Sequence, residues 1–246
     1  AIGKTGYDIP QAQQKEAVNY IANNIFGFLT PEITKKVLPP YFYVADSIGQ
    51  LTVTPTAEFV SPTAYYYTGM DFWSFTWNPA VSYTKIYATG VITYSTRISK
   101  PNTSFSSFYR RGVMLKEIFK GAVNNGNIKV PESFNTGFDF ITPIKNATAD
   151  ANDVNYYKKR GFPGRWSNTL NFNSAVITNL VSTLPNTGIT QNFIDYIHLC
   201  MRFQPDSIEV NYPISQYPLI HQKYPIVIQY MKDNYNIDLA KIATKP

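Results

Sequence analysis

Apolar side chains near the start of the chain recur at three- and four-residue spacing. Ala17, Val18, Ile21, Ile25 and Phe28 share one face of a helix over 10–28, and Pro10, following Asp8, suits its first turn. Thr30-Pro31-Glu32 has the chemistry of a second helix start. That helix spans 31–38 and must stop at Pro39-Pro40, because proline lacks the N–H that would continue the hydrogen-bond ladder. From Tyr41 to Trp77 the pattern turns to β-branched and aromatic residues broken by Pro55, Pro62 and Gly69, which predicts short strands or extended segments.

After Asn78-Pro79 two periodicities compete. The Val, Ile, Thr and Tyr residues of 80–98 favour strand by propensity. Ala80, Tyr83, Tyr87, Val91, Tyr94 and Ile98 nevertheless fall on one helical stripe, and Ser82, Lys85, Thr89, Thr93 and Thr96 on another, so the spacing predicts a helix over 80–98. A further helix begins at Ser107, with Phe108, Leu115, Ile118, Phe119 and Ala122 on its apolar face and Asn125-Gly126 as its stop. Pro131, Gly137, Pro143, Gly161, Pro163 and Gly164 then break 126–166 into a long irregular stretch, of the kind held by function or by a neighbouring chain. Helices are expected again at 173–184, at 190–203 with Thr190 as N-cap, and at 225–234. Pro205, Pro213 and Pro218 impose an extended connection before the last of these. With no internal repeat, heptad run or linker, the expectation is one domain over 1–246, mainly α or α+β, with about six helices, short strands within 41–77 and long irregular loops.

Composition changes this picture at the surface. Charged residues make up only 15% of the chain, against ~25% in ordinary globular proteins, while 44% is apolar. Asn, Thr, Ser and Tyr fill the deficit, in runs such as Thr63-Ala-Tyr-Tyr-Tyr-Thr68. Coat subunits, whose surfaces lie largely inside assemblies, have this character, as do extracellular proteins of low charge. A net charge of +6 favours contact with nucleic acid or another anionic surface. The single cysteine, Cys200, excludes an intrachain disulfide framework. No stretch approaches the ~20 apolar residues of a membrane span.

Candidate chemistry is sparse. His198 lies two residues from Cys200 on an expected helix, where such neighbours point to different faces, so Cys200 reads as a packing residue. Two histidines and one cysteine have no metal-ligand spacing, and Asp150 with Asp153, or Asp206 with Glu209, read as cap or loop charges. Gly161-Phe-Pro-Gly164 lacks the lysine and spacing of a phosphate loop and reads as a turn. The expectation is therefore a non-enzyme with no catalytic, metal or cofactor site. Arg110, Arg111, Lys116 and Lys120 read as a broad exposed helix face.

The richest cluster is 156–166, in which Lys158, Lys159, Arg160 and Arg165 interleave with Tyr156, Tyr157, Phe162 and Trp166. Cations neutralise phosphates while rings stack on bases, or the same groups make cation–π contacts with another chain. These residues are the expected contact with nucleic acid or a neighbouring subunit. Together the features point to a self-assembling structural subunit, a viral coat protein located in the virion. Its expected partners are copies of itself and RNA or DNA bound through nonspecific phosphate contacts. The alternative is a secreted or cell-surface binding module whose aromatics over 41–77 recognise a glycan or a protein.

Overall fold

A computed structural model describes residues 2–62, 66–77, 83–94, 103–145, 148–164 and 185–243. The expected 173–184 helix, Arg165 and Trp166 lie outside these residues.

The first apolar stripe forms as its spacing predicts. Helix α1 (Gln11–Asn24) buries Ala17 and Ile21, and a 3-10 turn at Phe26–Phe28 follows the buried Ile25. Helix α2 (Pro31–Thr34) begins with Pro31 at its first turn but is shorter than 31–38. Lys36 takes a left-handed φ of 60°. The amide of Asn127 donates to the carbonyls of Ile33 and Lys35 at 2.9 and 2.7 Å, and Asn125 donates to that of Lys36 at 2.8 Å, so side chains satisfy this helix end.

An antiparallel sheet of five strands has the order β1-β3-β4-β7-β8: β1 (Ile2–Tyr7), β3 (Ser47–Val53), β4 (Ala57–Pro62), β7 (Tyr83–Ile86) and β8 (Ile92–Tyr94). A smaller sheet, β2-β6-β5, pairs β2 (Tyr41–Ala45) in parallel with β6 (Phe72–Thr76) and β6 antiparallel with β5 (Tyr66–Thr68). Along β2 the burial alternates. Phe42 and Val44 pack on the main core, with Phe42 stacked 4.8 Å from the buried Phe75, whereas Tyr41 and Tyr43 are exposed.

The helix expected over 80–98 is replaced, in its described part, by the β7–β8 hairpin. Tyr83–Ile86 pairs with Ala57–Val60 of β4, and Gly90, at φ 65°, supplies the positive dihedral the turn requires. Strand propensity and an available sheet partner outweigh a stripe that three- and four-residue spacing shares with two-residue alternation. Strand β1 lies in a segment for which no strand was expected.

The core is helical. Helix α3 (Thr103–Asn124) starts ahead of Ser107 and buries Met114, Leu115, Ile118, Phe119, Ala122 and Val123. Gly121 lets Val37 approach so closely that a Cβ there would sit 2.7 Å from a Val37 methyl. Helix α5 (Pro185–Arg202) starts before Thr190, which is therefore no N-cap, and every residue over 192–201 is buried. Short helix α4 (Glu132–Asn135) places Phe134 against Phe193 and Tyr196, each at 5.1 Å.

The proline-rich connection is not extended. Pro205 opens α6 (Pro205–Asn211) and Pro218 opens α7 (Pro218–Tyr235), where a missing N–H costs no hydrogen bond. Pro225 lies inside α7 on an exposed position, so that helix starts earlier than 225. Asn236, left-handed at φ 55°, ends α7 before α8 (Leu239–Ala243) closes the core. The architecture is α+β. Among the described residues no helix is long and apolar enough to cross a membrane.

Candidate functional site: a basic tyrosine cluster

The irregular stretch beginning at Gly126 is tied to itself. Asp139 accepts from the backbone N–H groups of Ile141 and Thr142 at 2.8 and 3.0 Å, and Arg160 meets its carboxylate at 2.6 Å. These partners, Thr142 first, hold the Asp139 carboxyl down at about 2. Arg160 also donates to the Asp139 carbonyl and to Asn155 Oδ1. Lys145 reaches Asp153 at 2.7 Å and Asp150 at 3.9 Å, and its strand-like bridge to Tyr156 closes the loop. The described part of the stretch is thus tied down by contacts within its own chain.

The cluster expected to present rings and cations together divides into different environments. Tyr156, Tyr157 and Phe162 are buried in an aromatic core with Phe138 and Phe140. Their rings are not available to stack on bases, because the surrounding apolar residues already cover them. Two buried tyrosines clamp the backbone from outside: Tyr196 donates to the Gly161 carbonyl and Tyr212 to that of Pro163, both at 2.9 Å. Gly161, at φ 81°, packs so tightly under Leu219 that a Cβ would lie 2.6 Å from it, and Gly164 has φ 110°. The 161–164 segment is thus the turn its glycines predict.

The cations also separate. Arg160 is committed to Asp139 and Asn155, and Lys159 donates to the Asn152 carbonyl at 2.8 Å. Lys158 points instead among tyrosines, its Nζ 5.1 Å from the Tyr212 ring centre and 5.9 Å from those of Tyr157 and Tyr217. Burial, and then the charge of Arg202, lower its pKa. Arg202, at the end of α5, lies 4.9 Å from the Phe203 ring. Sequence reading missed Arg202, Tyr212 and Tyr217, which only the chain's return through α5 to α7 brings beside 156–158.

The second basic group is not the exposed face expected of it. Arg111 and Lys116 are buried in α3, where Lys116 meets Glu117 at 3.4 Å; the Arg110 side chain lies outside those described. Burial lowers the pKa of both Arg111 and Lys116.

The remaining reactive groups are packed inward. Cys200 is buried, its thiol pushed up by desolvation and 3.7 Å from the Tyr224 carbonyl. His198 is held neutral by burial beside Lys116, and its ring contacts the Lys116 carbonyl at 3.3 Å. His221 bonds to Glu209 and to the Tyr212 carbonyl. Among the described residues no three His, Cys, Asp or Glu side chains are grouped to hold a metal ion. Compared with known proteins, the chain matches no family model, no curated protein and no solved structure.

Proposed function

We propose that the chain is a structural subunit that assembles with copies of itself, and that the assembly is a viral coat. One structural observation carries the first part. At the edge of the large sheet, where no further described strand pairs, the β7–β8 hairpin exposes Ile86 (44%), Tyr87 (43%), Val91 (53%) and Ile92 (43%). Register places them on both faces: Ile86 lies across from Ala57, while Ile92 lies across from Lys85 and hence beside Glu58. An edge strand with apolar groups on both sides is a template for pairing unless something covers it. The low charge of the chain supports a second copy as the cover, since a surface with few charges gives like molecules little to repel with. The net charge of +6 supports the coat version, in which basic residues face enclosed nucleic acid.

Electron microscopy of the purified chain, with its ratio of ultraviolet absorbance at the nucleic-acid and protein maxima, tests the proposal. Closed particles with a nucleic-acid-shifted ratio are expected. Monodisperse single chains with a protein-like ratio at all concentrations would contradict it.

A further inference from the structure

Strand β2 turns its rings to opposite sides of the small sheet. Phe42 lies inward with Trp73 and Phe75, so Tyr41 and Tyr43, two residues apart, stand on the outer face, 55% and 53% exposed. Their ring centres are 6.3 Å apart and the planes only 19° from parallel, too distant for either ring to cover the other's face. Phe72, half-buried on the neighbouring strand β6, meets the Tyr43 ring at 5.7 Å and 70° and braces it from the side. Ser74, between the inward Trp73 and Phe75, shares the outer face and is in register with Tyr43. Among the described residues no hydrogen bond engages the hydroxyls of Tyr41, Tyr43 or Ser74.

Ring faces and free hydroxyls on one strip match the two sides of a sugar. The C–H groups on the face of a pyranose carry partial positive charge and meet the negative face of an aromatic ring, while hydroxyls around its rim exchange hydrogen bonds. Charge narrows the ligand further. Over 41–77 the chain carries Asp46, Glu58 and Asp71 but no Lys, Arg or His, although its net charge is +6, so this segment offers no cation to an acidic sugar or a phosphate. Size argues against a protein partner, because two rings 6.3 Å apart make a strip far smaller than the roughly 800 Å² per partner of a standard protein interface. One or two sugar units fit that strip.

We propose that Tyr41 and Tyr43, braced by Phe72 and flanked by Ser74, bind a neutral glycan on the outer face of the small sheet. The site uses other strands than the β7–β8 hairpin and does not rest on self-assembly, which is measured separately. An array of neutral trisaccharides of glucose, mannose, galactose and N-acetylglucosamine, with sialylated trisaccharides for contrast, tests it on the full chain. At least one neutral trisaccharide is expected to bind. Tyr41→Ala and Tyr43→Ala should each weaken it on the order of tenfold, whereas Tyr41→Phe/Tyr43→Phe keeps both rings and most of the affinity. Binding of no neutral trisaccharide, binding of sialylated ones alone, or affinity unchanged in Tyr41→Ala/Tyr43→Ala of native circular dichroism overturns the proposal. Loss of assembly in that double variant, without glycan binding by the unmodified chain, assigns the strip to protein contact and likewise overturns it. Should the alanine variants not fold, saturation-transfer NMR on the unmodified chain decides: transfer from aromatic protons concentrated on the C–H protons of one sugar face upholds the site, and transfer spread evenly over the sugar overturns it.

Discussion

Phe134, Phe193 and Ile197 in the helical core are fully buried by their own chain, while Ile86, Val91 and Ile92 at the sheet edge stand about half exposed. The two regions use the same apolar chemistry to different ends. In the core each ring has its partners within the molecule, as Phe134 does in Phe138, Phe193 and Tyr196, all at 5.1 Å. At the hairpin, β8 has a strand neighbour on one side only among the described residues. Stability therefore resides in the helices, and the hairpin is the region proposed here for contact between copies.

The contrast is broken most severely from the core side. Phe134→Ala removes a ring enclosed by three others and should destabilise the chain by ~3–5 kcal/mol in denaturant titration. A loss under ~1 kcal/mol would mean that α4 is not integral to the core. Gly161→Ala introduces a Cβ at φ 81° against Leu219 and should cost ~1–2 kcal/mol from backbone strain alone. Its effect reports whether the 156–164 segment is as tightly seated as the helices. Acid sharpens the comparison further. The Asp139 carboxyl is held at about 2, below the ordinary ~3.9, so its stabilisation is present above the unfolded value and is lost as pH falls through the folded one. Unfolding midpoints of Asp139→Asn should consequently vary less than those of the unmodified chain between about pH 4 and 2. Equal variation would show that the Thr142 and Ile141 hydrogen bonds do not hold the Asp139 carboxylate in its charged form. The smallest effect on stability belongs to Ile92→Lys, within ~0.5 kcal/mol, because the substituted position is exposed.

Legibility in the sequence followed the same divide. The face of α1 was readable because that helix has one wet side, which leaves a period in the sequence, and the apolar stripe of α3 was readable because charged residues interrupt it, although Arg111 and Lys116 among them are buried. The start of α5 was not, because a helix buried on all sides over 192–201 has no polar face to mark its phase. Pro218 read as a breaker although it starts a helix, since the same residue is tolerated in the first turn and disruptive within one. Within the candidate site, the turn at Gly161 and the positive charge of Lys158 were visible. The burial of Tyr156, Tyr157 and Phe162 was not, because Phe138, Phe140 and Tyr217, which help cover them, come from other segments. Arg202 carried no local signal at all. It is one cation at the end of an apolar helix, and only the fold brings its charge to act on Lys158.

Light scattering of the unmodified chain and of Ile86→Lys/Ile92→Lys, across concentration and at several salt concentrations, tests the assembly surface most directly. The two lysines place charge on both faces of the hairpin and leave the helical core untouched. The unmodified chain is predicted to form particles larger than one chain at micromolar concentration, and the double variant to remain a folded monomer. A monomeric unmodified chain throughout, or a double variant that assembles equally well, would contradict the assignment of the hairpin as the surface where copies meet.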